Sequence, residues 1–208
     1  MDISDLLQGP MKDIILGQIG NQLGLEDKQQ TNTAVDGILG TLLNGIQNNA
    51  STQEGQASLE NALNKDHNGS IFDDLTGFLT GNSASVSAAT SNGAGILKHI
   101  LGDKQESTVD SISKASGIDS GKILKMMMTL APLVLGMLGK SNAQAQNQSQ
   151  QSGGGILDII KGATQSVNQQ STTQSIFNKI LDKNGDGNVI DDIASAGMKS
   201  IFGKLFGK

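Results

Sequence analysis

Cysteine is missing from this 208-residue chain, which removes disulfide frameworks, thiolate nucleophiles and zinc–thiolate sites in one stroke. Tryptophan and tyrosine are missing too, and Phe72, Phe78, Phe177, Phe202 and Phe206 are the entire aromatic content. A core must therefore be packed from Ile, Leu, Val, Met and Ala, a choice that suits helix-on-helix layers better than β-sandwiches. Arginine is absent as well, so all 15 basic residues are lysines, against 20 acidic ones. Recognition of phosphates and base edges leans on the guanidinium fork, and single-strand binding leans on stacked aromatics. With neither, and a net charge of −5, the chain is not built for nucleic acid.

Long uninterrupted apolar runs are lacking. The most apolar stretch, residues 123–138, is broken by Lys125 and Pro132 and is shorter than the roughly 20 residues of a spanning helix. It reads as a buried helix. The first twenty residues begin acidic and never develop a basic start followed by a long apolar region, so they do not read as a signal peptide. The expected location is the cytoplasm. An extracytoplasmic one stays open, because neither the absence of cysteine nor the features below decide it.

What is present has helical spacing. Val35, Ile38, Leu39, Leu42, Leu43 and Ile46 recur at intervals of three and four, as do Leu124, Met127, Met128, Ala131, Leu135 and Leu138. The same holds for Ile190, Ile193, Ala194, Met198, Ile201, Phe202, Leu205 and Phe206. No run alternates strictly, so an all-α fold is expected. Gly, Gln, Asn and Ser gather in residues 81–95, 141–155 and 164–173, and these segments read as linkers, the second as a flexible connection.

The chain also repeats itself. NKDHNGSIFDDL at 64–75 aligns without a gap on DKNGDGNVIDDI at 182–193, and QIGNQLGLED at 18–27 resembles SISKASGIDS at 111–120. In the second pair Gly24 and Gly117 are each followed by an apolar residue, the pattern of a helix closed by a left-handed glycine before a new helix opens. The expected organisation is two divergent helical repeats. The first covers 1–80 with its acidic loop at 64–75, followed by a linker at 81–95. The second has a helical part at 96–140, a linker at 141–155, and a C-terminal part at 156–208 with the acidic loop at 182–193.

The C-terminal loop carries the chemistry. Asp182, Asn184 and Asp186 put side-chain oxygens at loop positions 1, 3 and 5, and Gly187 sits at position 6 where the chain must turn sharply. Asn188 would offer a backbone carbonyl at position 7. This is the first half of an EF-hand-like loop, whose hard oxygen ligands suit calcium. Position 12, ordinarily a bidentate glutamate, is Ile193, and the carboxylates fall instead at Asp191 and Asp192. The N-terminal loop is the weaker version, with Asn64, Asp66, Asn68, Ser70, Asp73 and Asp74. Both loops have a plainer reading as helix starters: Ser70 and Asp73 have capping-box spacing, and carboxylates favour helix N-termini. Metal is the preferred reading for the C-terminal loop and helix capping for the N-terminal one.

Other constellations fall short. Gly139-Lys140-Ser141 resembles the end of a phosphate loop, but Val134 stands where its first glycine belongs. His67 and His99 lack a second ligand at zinc spacing and read as ordinary surface or packing residues. No serine sits in a nucleophile elbow, so no catalytic residues are assigned. The run Met126 to Met128 reads as core filler. In the C-terminal MKSIFGKLFGK, an apolar stripe faces Lys199, Lys204 and Lys208, as in helices that lie on anionic membranes. A terminal helix packed on the core is the preferred account.

Taken in order, GLEDKQ before GILGTLLNGI, NASTQEGQASLENALNKDHNGSIFDDL, TLAPLVLGMLGK, and LDKNGDGNVIDDI before AGMKSIFGKLFGK resemble bacterial proteins of the DUF937 family, related to the YidB-like proteins. That resemblance implies a compact helical fold and a family without an established activity, and it supplies no catalytic residues. The expectation is therefore a non-enzymatic binding or structural protein whose one cofactor is calcium. Its partner would be an unidentified protein or a second copy of itself. A membrane-surface or self-assembling protein acting through amphipathic helices is the alternative.

Overall fold

A computed structural model describes residues 9–83, 86–148 and 155–168. Every regular element among them is helical, and no strand occurs. Helix α1 runs Pro10–Leu23, α2 Lys28–Asn49 and α3 Gln53–Lys65. A 3₁₀ turn at Ser70–Asp74 leads into the short α4, Leu75–Thr80. After it come α5 (Gly93–Leu101), a second 3₁₀ turn (Gly102–Lys104), α6 (Gln105–Ser116), α7 (Ser120–Gln148) and α8 (Ile156–Asn168).

Local signals set the ends of these helices. Pro10 opens α1, where its missing N–H costs nothing. Asp27 caps α2 by accepting hydrogen bonds from the amides of Gln29 and Gln30, at 2.8 and 3.1 Å. Thr52 does the same for α3 through Gly55, Asn92 for α5 through Gly95, and Asp119 for α7 through Gly121. Gly24 and Gly117 end α1 and α6 in the left-handed region, at φ 60° and 74°, as the glycine-plus-apolar pattern predicts.

Two helices form the centre. From Ala34 to Gly40 every residue of α2 is buried, because α1, α5, α6, α7 and α8 all pack on it. The face predicted from spacing is indeed interior: Ile38, Leu42 and Leu43 are fully buried. Helix α7 is enclosed in the same way, with residues 130–139 buried all round. Its stretch Ser120–Gln146 is long and apolar enough to cross a bilayer by length and composition, yet 67% of its most apolar window lies inside this fold. Met126 and Met127 are core residues, as expected, while Met128 is only partly covered. One continuous apolar cluster joins residues from all of these helices.

Linker boundaries differ from expectation. Helix α7 continues to Gln148, so residues 141–148 are helical rather than part of a flexible connection. Polar composition did not stop the helix because Ala and Gln are good helix formers and neither Pro nor Gly intervenes before residue 153. Likewise α8 extends to Asn168, over the start of the expected linker at 164–173; Thr164 and Val167 supply buried contacts there. In the expected linker at 81–95, α5 already begins at Gly93.

Candidate functional site

The N-terminal acidic loop is fully described. Asn64 lies in the last turn of α3 and Asp66 caps that helix end. The side-chain oxygen of Asn68 accepts a hydrogen bond from the Ser70 amide at 3.1 Å. Gly69 then turns the chain at φ 95°, in the loop position where such loops need a glycine. Asp74 caps α4, accepting from the Gly77 amide at 3.0 Å. Ser70 and Asp73 are exposed. The capping role falls to Asp74 and not to the Ser70–Asp73 box, because the 3₁₀ turn delays the start of the α-helix by five residues. Among the described residues no three acidic or histidine side chains converge on one point. Asp182, Asn184, Asp186, Asn188, Asp191 and Asp192 lie outside the described residues, as does the C-terminal amphipathic segment.

This loop sits directly on α7. Gly136 and Gly139 present bare backbone to it: a side chain at 139 would overlap the His67 carbonyl, and one at 136 would meet Ile71 Cγ2 at 2.7 Å. Opposite them, the Cβ position of Gly69 falls 2.9 Å from Lys140 Cβ. The Gly-Lys-Ser run that mimics a phosphate loop is thus a helical surface for receiving a turn. The Thr90 hydroxyl donates to the Asp66 carbonyl at 2.6 Å, tying the loop to the segment before α5.

His67 is the least expected member. It is 5% exposed, and its Nδ1 has no hydrogen-bond partner. Burial lowers its pKa below the ordinary 6.5, with the neighbouring Asp66 charge opposing, so the neutral imidazole is the form the fold accommodates. His99, by contrast, is exposed on α5.

A second feature is a groove of about 610 Å³ bounded by α1, α4, the start of α5 and α7. Ile19, Leu23, Phe78, Leu79 and Met128 give it apolar walls, and Gln22, Ser91, Asn92 and Thr129 edge it. Gln22 bridges two of its walls, donating to the Leu79 carbonyl at 3.1 Å. Lys125 is the single charged residue lining it. The floor has its own logic. Pro132, inside α7, has no N–H to offer the Met128 carbonyl one turn earlier. It is against that carbonyl that Gly93 packs, so closely that any side chain at 93 would overlap it. Sequence reading missed the groove, because its residues come from four separated segments; Gly93 and Pro132 were its only local traces.

Elsewhere among the described residues, one ion pair reaches into the interior. Lys12 Nζ donates to Asp36 Oδ1 at 2.7 Å, with the two side chains 13% and 4% exposed. Asn32 donates weakly to the other oxygen at 3.4 Å. Burial raises the Asp36 pKa above its ordinary value, while the hydrogen bond and charge of Lys12 pull it back.

A family model described as a bacterial protein of unknown function, DUF937, matches residues 5–141. The match takes in the N-terminal loop, the groove and most of α7, and stops short of the C-terminal acidic loop. No curated protein and no solved structure matches the chain.

Proposed function

The chain belongs to the DUF937 family of bacterial proteins, and from that premise we propose that it is a non-enzymatic helical binding module, engaging a protein partner or a second copy of itself through the groove beside Met128. The lining of that groove carries the reading: apolar walls, amide and hydroxyl groups at the edge, and Lys125 as the lone charge. Such a surface offers burial area and rim hydrogen bonds to an inserted side chain, and it brings no acid–base pair to a reacting bond. Met128 is the place to test it, being a partly exposed apolar residue that lines the groove next to the fully buried Met126 and Met127. Sedimentation velocity over a concentration series is expected to show wild-type self-association that Met128→Glu abolishes, with both proteins melting alike. Wild type that stays monomeric throughout would sink the second copy as occupant.

Calcium at the C-terminal loop is the other component of this reading, with Asp182, Asn184, Asp186 and a carboxylate from Asp191 or Asp192 as side-chain ligands and Asn188 lending its carbonyl. The support is positional. In the gapless alignment Gly187 falls on Gly69, which makes the sharp left-handed turn such a loop requires. The two loops would then be copies in a duplicated chain, a reading helped by Gly24 and Gly117 closing equivalent helices before α2 and α7. A ligand at about 100 times its dissociation constant adds about 2.7 kcal/mol, or roughly 5–10 °C in melting temperature for a chain this long. Circular dichroism melts in excess calcium and in chelator are expected to differ by that much, and Asp182→Ala with Asp186→Ala to remove the difference. Identical melts would make the loop a helix start and nothing more. A cytoplasmic location is proposed separately from the calcium loop, which pulls weakly toward an extracytoplasmic one.

A further inference from the structure

An asparagine followed by glycine carries a latent reaction, because the glycine nitrogen can reach the side-chain carbonyl carbon unhindered by a Cβ. Three such pairs are described, and the fold treats them differently. Asn44 and Gly45 lie within α2, where helical hydrogen bonding holds the backbone amides and Asn44 Nδ2 donates to the Gly40 carbonyl at 3.0 Å. At Asn92 and Gly93, the glycine nitrogen is committed to the Ser91 carbonyl at 2.8 Å, and Gly93 is wedged against Met128. At Asn68 and Gly69, the asparagine is exposed although the glycine is buried against α7, and among the described residues no hydrogen bond occupies the Gly69 nitrogen.

We propose that Asn68 is a self-modification site, deamidating through its own backbone in the folded protein. The Ser70 amide already donates to Asn68 Oδ1, which polarises the carbonyl and is placed to receive the negative charge that develops on that oxygen. To accept this bond the Asn68 side chain turns toward the backbone that follows it, which keeps its carbonyl close to the segment that must attack it. Hydroxide takes the proton of the Gly69 nitrogen, which forms a bond to Cγ. Nδ2 takes up a proton from solvent, the Cγ–Nδ2 bond breaks and ammonia leaves, giving a five-membered succinimide. One water then opens the ring at either carbonyl. The products are aspartate, or isoaspartate with the main chain rerouted through the side chain. One water is consumed and one ammonia released.

The two products differ in consequence. Aspartate adds a carboxylate two residues from Asp66, turning the weaker loop into a closer copy of the Asp182–Asp186 one. Isoaspartate inserts a methylene into the main chain beside the tightest contact with α7, since the Cβ position of Gly139 overlaps the His67 carbonyl and lies 3.3 Å from Asn68 Cα. The isoaspartyl fraction is therefore expected to melt lower than the unmodified protein.

The test is site-resolved mass spectrometry of the full-length protein aged in mildly alkaline buffer, folded and in parallel in denaturant. In the folded sample Asn68 gains the one-dalton difference between NH₂ and OH while Asn44 and Asn92 stay unchanged; in denaturant all three gain it. Asn68→Gln, whose longer side chain disfavours the five-membered ring, removes the gain at that position. Asn68 staying intact in the folded sample, or Asn44 or Asn92 converting as fast, would overturn the assignment.

Discussion

Lys12→Ala is expected to destabilise the protein by about 3–5 kcal/mol, the cost of leaving one buried partner of an ion pair without the other. At 4% exposure the Asp36 side chain has little access to water, and its neighbours Val35, Gly37 and Ile38 are all buried. Asn32, at 3.4 Å, is a poor substitute for an ammonium at 2.7 Å. The loss corresponds to a fall on the order of 10 °C in melting temperature for a chain of this length. Its pH dependence has a definite sign. Burial raises the Asp36 pKa above 3.8, so just above that value the folded state holds a proton that the unfolded state has released. Stability therefore falls as pH rises through this window. Removing Lys12 takes away both effects that oppose the rise, so the window widens upward. The Lys12→Ala deficit is accordingly expected to be smaller in acidic than in neutral buffer, measured by denaturant titration. Lys12→Met combined with Asp36→Leu should recover much of the loss, since apolar pairs of similar volume commonly replace buried ion pairs without penalty. A deficit that is the same at both pH values would mean that Lys12 acts through its methylenes, packed between α1 and α2, and not through its charge.

Much of this architecture is legible in the chain. The three-and-four spacing from Val35 to Ile46 marks an interior face that is in fact interior, and Gly24 and Gly117 mark two helix ends that the backbone makes in the left-handed region. What periodicity cannot convey is how many neighbours a helix has. One apolar stripe was visible on α7, but α2, α3, α5, α6 and α8 surround it, so Leu133, Val134 and Met137 off that stripe are buried too. The charged pair escaped notice for a related reason. Asp36 stands in an otherwise apolar stretch, which is a signal, yet its partner is 24 residues away on another helix. His67 looked ordinary because its burial depends on Gly139, more than seventy positions later. The glutamine-rich stretch misled in the opposite direction, since low complexity describes composition and says little about whether a helix already under way will stop. The family segment ends at 141, so the two acidic loops, alike in sequence, stand on different footing: one inside the matched fold and one beyond it.

Gly139→Ala is expected to cost at least about 3 kcal/mol, the upper end of what overpacking takes, even though alanine in place of glycine favours a helix by about 1 kcal/mol. What the new methyl meets decides the sign. At 139 the obstacle is the His67 carbonyl, a backbone group held by the His67 amide bonding to Ala62 at 3.0 Å and by the turn at Gly69. It has no rotamer to change. Either α7 shifts, against a core packed on every side, or the loop lifts away from it. Lifting is the cheaper response, and it would expose His67 and free the amides of residues 66–72. Hydrogen exchange there should accelerate well beyond that of α2, which a general loss of stability would not do selectively. Gly136→Ala is the graded comparison, since its nearest obstacles are the Ile71 Cγ2 methyl at 2.7 Å and the Phe72 ring at 3.3 Å, side-chain atoms and not backbone, so a smaller cost is expected. Gly162→Ala on α8 is the reverse control: nothing lies within 4 Å of its Cβ position, so the helix-propensity gain should stand alone and raise the melting temperature. If Gly139→Ala melted as high as Gly162→Ala, the loop would not be seated on α7, and the burial of His67 would need another cause.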